Sequence, residues 1–310
     1  MRILRTVSIC AFALLFGIKY VSKLGRGVSL RGARVRKFLV VAVGIVGLML
    51  SLLVQLQAQG GVGQIQVGGS PTVPDSEATS RPIPRLPDGT VDITGPWVGG
   101  GSNGNIERDG GLKAGELPLL PWAKELRDKR EDKDEPYTAC LPMSVPRVNP
   151  YPWKFALAYT SKGLSHVYVL HETGDAGAHR VVYMDGRKHP EDLLPTWWGH
   201  SIGRFEKDTL VIDTVGYNDK FWFDSQGTPH TEQLHTVERW TRINWGRITN
   251  EFLLDDPGAF SRPVNLKFTG RLLRPDLKTG GGELMEFICL EGNEYGAAAG
   301  FKPGGGTSIK

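Results

Sequence analysis

The sequence predicts an all-β fold, an antiparallel meander closing into a lipocalin-like barrel, with one short N-terminal helix. Three observations predict it. From Trp153 onward the chain breaks into short runs rich in β-branched and aromatic residues. Turn chemistry such as Asp185-Gly186 and Asn244-Trp245-Gly246 joins these runs. Helical periodicity between them is almost absent, so the crossovers that a parallel sheet needs are not expected.

The chain of 310 residues begins with a leader, residues 1–58, holding two apolar segments at 7–18 and 38–54. Arg31, Arg34, Arg36 and Lys37 precede the second segment, and Ala58 offers a small residue for cleavage, although Leu56 at the −3 position is less typical than Ala. A basic stretch, an apolar core and a small residue describe a secretory signal. The same segment left uncleaved is an anchor, slightly short for a bilayer of about 30 Å. Both readings export the rest of the chain, as a periplasmic, secreted or tethered protein, with membrane contact only through an uncleaved leader. Residues 1–37 contain no acid, so the formal charge of +4 belongs to the leader and the remainder is slightly acidic. Nucleic acid is therefore not an expected partner. Beyond Cys10 of the leader only Cys140 and Cys289 remain. In an oxidising compartment they suggest one disulfide, tying the entry of the domain to its last strand; two buried free thiols are the other reading.

Residues 59–80 are rich in Gly, Pro, Ser and Thr and read as a flexible linker. A single β-rich domain is expected over 81–293, and the glycine-rich residues 294–310 as a disordered tail. Within the domain, 119–134 is the one credible helix, with Pro121 suited to its first turn. Strands are expected at 155–160, 165–172, 180–184, 201–205, 209–215, 234–243, 247–254, 264–273 and 283–290. Alternation supports half-buried strands: Val264, Leu266, Phe268 and Leu272 share one face, and Asn265, Lys267 and Arg271 share the other.

All seven histidines lie between residues 166 and 235. Imidazole serves as a metal ligand and as a proton carrier near neutral pH, so the clustering marks this half of the domain for chemistry. Pro195-Thr-Trp197-Trp198-Gly199-His200-Ser201-Ile-Gly203-Arg204 is a loop entering a strand. Phe221-Trp222-Phe223-Asp224 and Gly227-Thr-Pro-His230-Thr-Glu-Gln-Leu-His235 form a second such loop. Large aromatic rings beside polar groups at a barrel mouth suit a small-molecule site, with Trp197, Trp198, Trp222, Arg204 and His235 as ligand-binding candidates. His200 and His230 are candidates for acid–base work, Glu172 for a carboxylate and Arg180 for holding an oxyanion; Asp213, Asp224 and Glu238 are further carboxylates. No His-Glu-x-x-His or Cys-x-x-Cys occurs. A divalent metal would need ligands assembled from separate loops, with His200, His230 and His235 the candidates. Strand parity sets Glu238 with Leu234 and Trp240 on one face and His235 with Val237 and Arg239 on the other. Ser201 has glycines at the spacing of a nucleophile elbow, but a β-hairpin follows it where the elbow needs a helix.

Cys140-Leu-Pro-Met-Ser-Val-Pro-Arg147, Asn149-Pro-Tyr-Pro152, the Pro195–Arg204 segment, Asp208-Thr-Leu-Val-Ile-Asp-Thr-Val-Gly-Tyr-Asn-Asp219 and Val237-Glu-Arg239 resemble a large family of exported, uncharacterised proteins of acidobacteria and sphingomonads. The resemblance spans roughly 81–293. Tyr217 stands where that family usually has Phe, and Phe205 where it has Trp. The resemblance implies one exported domain and brings no activity or cofactor with it. Three functions stay open: an exported enzyme acting on a small organic or sugar-like substrate, a non-catalytic binder of an apolar ligand or haem, and a tethered interaction protein.

Overall fold

The computed structural model describes residues 72–102, 104–173, 179–274 and 282–289; the leader and the tail expected at 294–310 lie outside them. Nine strands form a closed barrel in chain order: β1 Trp97–Gly99, β2 Trp153–Thr160, β3 Gly163–His171, β4 His179–Tyr183, β5 His200–Glu206, β6 Thr209–Val215, β7 His235–Asn244, β8 Arg247–Asp255 and β9 Val264–Leu272. Short helices α1 Asp75–Ala78, α2 Ile106–Asp109 and α3 Pro121–Lys129 lie before β2 in the chain. The all-β expectation and the barrel closure both hold. No described helix is long and apolar enough to cross a membrane.

Four details differ from the sequence reading. Residues 283–290 were expected as the last strand, yet the described residues 282–289 contain none. The reason is the seam: β1, unread in the sequence because it is three residues long, already occupies the free edge of β9 through Trp97↔Leu272 and Gly99↔Gly270. Side chains anchor the 282–289 segment instead: Lys154 pairs with Glu283 at 2.6 Å, and the Met285 backbone N–H donates to Glu172. Cys140 and Cys289 are joined in a disulfide, which therefore ties the entry of the domain to this segment rather than to a strand.

The meander is also not antiparallel throughout. β4 and β5 run parallel, through Val182↔Ser201 and Tyr183↔Ile202. The link between them, 184–199, is long enough to traverse the barrel without a helix. Gly203 lets these two strands close up, since a Cβ there would sit 2.7 Å from both Val182 Cγ1 and Met184 Sδ. The helix expected over 119–134 stops at Lys129, because Arg130 is extended and its guanidinium is committed to the Trp222 ring and to Gly227 O. Finally, Val73 and Ala78, within the stretch read as linker, are fully buried in the core, and Arg247 holds that stretch through Val73 O.

The barrel interior is layered. One apolar cluster gathers Trp97, Trp153, Phe155, Val167, Val182, Leu210, Trp240 and Ile248; the other gathers Tyr217, Phe221, Phe252, Leu254, Val264 and Phe268. Along β7 and β8, Glu238 and Asn250 fall between the two clusters, each fully buried. A polar band thus crosses the lumen.

Candidate functional site

Strand directions gather the histidines. β3 ends at His171, while β4, β5 and β7 begin at His179, His200 and His235. Because β3 and β4 are antiparallel, β4 and β5 parallel, and β5, β6 and β7 antiparallel, all four positions fall at one rim. The aromatic loops 184–199 and 216–234 both arrive at this rim. Alternation then divides the residues between the inner and outer faces of the wall.

On the inner face, Arg180 and Glu238 form an ion pair at 2.6 Å, their side chains 2% and 1% exposed. Glu238 also accepts from Trp240 Nε1 at 3.0 Å. The Tyr217 hydroxyl meets Thr236 Oγ1 at 2.9 Å, and Ser201 Oγ meets Thr214 Oγ1 at 2.9 Å. Burial pushes Tyr217 up to about 12, so it is a neutral phenol in this band. Through this hydroxyl Tyr217 joins the polar band. His171, 6% exposed, stacks on Trp198 with ring centroids 5.4 Å apart and planes 8° apart. Neither ring nitrogen of His171, nor Arg180 Nε, nor Trp198 Nε1 has a hydrogen-bond partner among the described residues. Burial first, then the charge of Arg180, holds His171 down to about 3, so the ring is neutral. Gly199 makes the approach of Trp198 possible: its φ of +63° is left-handed, and a Cβ there would lie 2.7 Å from Val215 O.

On the outer face, His189 Nδ1 meets His200 Nδ1 at 2.8 Å, His189 Nε2 meets Asp213 Oδ1 at 3.2 Å, and His235 Nε2 meets the same oxygen at 2.9 Å. The hydrogen bond from His235 is the main reason Asp213 is held below, and His235 above, its ordinary value. His200 is pushed down by burial, by His189 and by Arg187.

The remaining expected residues are dispersed. His230 is buried against Phe221 at 3.9 Å and Phe223 at 5.0 Å, apart from this chain of imidazoles. His200, His230 and His235 therefore do not converge, because a loop core holds the second while strand starts hold the others. Among the described residues no group of three or more His, Cys, Asp or Glu side chains is arranged to hold a metal ion. The outer cluster shows why: His189 spends its two ring nitrogens on two different partners, which makes a chain rather than a clamp. Glu172 anchors the 282–289 segment, and burial pushes its carboxyl up. Arg204 points outward and pairs with Glu206 at 2.5 Å. Trp222 is buried beneath Arg130, and among the described residues no ring pair links it to Trp197 or Trp198. Trp197 packs against the loop-side apolar cluster. Asp224 is spent on the backbone N–H groups of Ile106, Gln226 and Thr228. As strand parity required, Glu238 faces in and His235 faces out. His171 and His189 were not singled out from sequence; extending the Val167, Val169 alternation by one step would have found the first.

Burial of neutral histidine makes the fold sensitive to acid. The unfolded chain protonates His171 and His230 near 6.5, whereas the folded barrel does so only near 3 and near 4. The unfolded state thus binds more protons between those values, and the stability these residues confer is complete above pH 6.5 and drains away as pH falls toward 4. Asp213, held below its ordinary value, adds to the loss at lower pH; His235, held above, works the other way, and its contribution fades as pH rises through its elevated value. Urea midpoints are expected to fall between pH 7 and pH 4.5, and the slope to flatten in His171→Phe/His230→Leu. An unchanged slope in that variant would assign the acid sensitivity elsewhere.

Comparison with protein-family models, with curated proteins and with solved structures finds no match for this chain.

Proposed function

We propose that the chain is an exported barrel that binds a compact, oxygen-rich organic molecule, carboxylate-bearing or sugar-like, at the inner wall of its histidine rim. His171 supports this most directly: a buried neutral imidazole, stacked on Trp198 beside Arg180, with both nitrogens unpartnered among the described residues. Arg180 Nε and Trp198 Nε1 add two unmet donors on the same wall. An unmet buried donor costs roughly 1–3 kcal/mol, so acceptor oxygens on a ligand relieve several such costs at once. The Arg180–Glu238 pair is net neutral, which favours hydrogen-bonding recognition over bare charge attraction. An apolar ligand or haem is less well supported, because Trp97, Trp153, Phe155 and Trp240 already fill the apolar cluster on the far side of the band. The Cys140–Cys289 disulfide suits an oxidising compartment, in keeping with export.

Aromatic carboxylates, sugar acids and neutral sugars are the probes. One class is expected to raise the melting midpoint of the full chain and to bind by calorimetry. His171→Phe and Trp198→Phe keep the ring stack and delete the donors, and each is expected to weaken that binding about tenfold, the equivalent of one hydrogen bond. Undiminished binding in both variants, or no response to any class, would sink the reading.

A further inference from the structure

The outer face of the rim carries a second arrangement, on the opposite side of the sheet from the proposed ligand wall and independent of it. The Asp213 carboxylate can only accept, so His189 and His235 must each present an Nε2–H to it. A neutral His189 then has a bare Nδ1, and the 2.8 Å contact requires His200 to donate from its own Nδ1. That leaves the lone pair of His200 on Nε2, for which no partner exists among the described residues. With His189 neutral, these contacts assign the tautomers of His189 and His200.

We infer that Asp213, His189 and His200 form a proton relay in which His200 Nε2 acts as a general base toward water or the hydroxyl group of a substrate at the outer rim. In the step, the O–H bond breaks and its electron pair stays on oxygen. The proton bonds to His200 Nε2, and the Nδ1 proton of His200 passes to His189 Nδ1. One proton has moved from oxygen to His189, and nothing is oxidised or reduced. His200 ends neutral, in the opposite tautomer, and the positive charge rests on His189 next to Asp213. The surroundings favour that end of the chain. Arg187 lies over the Tyr183 ring at 3.9 Å, and Tyr183 stacks on His200 at 5.1 Å, so a charge left on His200 would face a cation. Asp185 engages Arg187, and Asp255 stands near His235. His235 already shares the Asp213 oxygen, and once charged it competes with His189 for the carboxylate and weakens the relay. His200 is the catalytic residue here; His189 and Asp213 position and discharge it.

The relay is tested without any natural substrate. Two-bond nitrogen–proton spectra of the full chain with labelled histidine are expected to show His200 as the Nδ1–H tautomer and His189 as the Nε2–H tautomer at pH 8. Asp213→Asn, which can present an N–H as well as an oxygen to His189, should release both rings from these fixed tautomers at pH 8. His200 in the Nε2–H form at pH 8, or tautomers unmoved by Asp213→Asn, would overturn the relay. For the base itself, hydrolysis of p-nitrophenyl acetate is expected to drop at least tenfold in His200→Gln and to change its pH profile in Asp213→Asn. Wild-type rates in His200→Gln would refute the catalytic role, and the tautomer measurement on unaltered protein decides the geometry even if a variant folds poorly.

Discussion

Replacing Arg180 by methionine is expected to destabilise the barrel by about 3–5 kcal/mol, because Glu238 is then left as an unpaired charge in the lumen. The Coulomb gain between two buried charges roughly offsets the cost of dehydrating them, so the pair itself adds little. Its halves are nevertheless costly apart. Glu238→Gln alone should be milder than Arg180→Met, since the amide oxygen can still accept from Trp240 Nε1, but it strands the guanidinium. The double variant Arg180→Met/Glu238→Gln is expected to regain most of the loss, since no buried charge remains. Urea denaturation of the four proteins gives the coupling directly. Additive losses would mean that the two groups do not depend on each other, and the ion pair would lose its place at the centre of the polar band. The same double variant should weaken ligand binding even where stability is restored, which separates the role in the fold from the role proposed for the site.

Removing the disulfide has an effect of comparable size by a different route. Cys140 and Cys289 are 149 residues apart in sequence. In the chain-entropy model a loop of that length confers about 5 kcal/mol by restricting the unfolded state. For a domain of this size that corresponds to a fall of roughly 10–20 °C in melting midpoint for Cys140→Ser/Cys289→Ser. The loss should be concentrated at one place first. The 282–289 segment has no strand ladder, and beyond the bridge it is held by Glu172 and Lys154. Limited proteolysis of the double variant is therefore expected to cut there before the barrel opens. A melting midpoint within about 2 °C of the parent, less than the shift one kcal/mol produces, would show that the bridge restrains little.

Much of the barrel was legible because its strands obey a period of two. The alternation in β9 and the parity of Glu238 and His235 in β7 could be read directly, and both hold. The 282–289 segment misled because it has the composition of a strand; whether a segment pairs depends on a free sheet edge, and β1 had taken that edge. β1 itself is too short to carry a pattern. The parallel step from β4 to β5 was hidden because the link between them contains no helix to announce it.

For the site, residue types were legible and groupings were not. The sequence marked the half of the domain that carries the histidines and named Arg180, Trp198, His200 and His235. It joined His200 to His230 because both lie in aromatic loops, whereas His230 packs into a phenylalanine core and His200 reaches His189 and, through it, Asp213. By itself, then, the sequence determined the fold class, which two cysteines are available to pair and the face of the wall on which a strand residue points. These follow from local alternation and from there being only two cysteines beyond the leader. Only the tertiary structure decided that Arg180 meets Glu238, that His171 stacks on Trp198 and that His189 and His235 meet one carboxylate with His200 behind His189. Those contacts join residues on different strands and loops, and it is barrel closure and the direction of β5, not local spacing, that bring them within a hydrogen bond of one another.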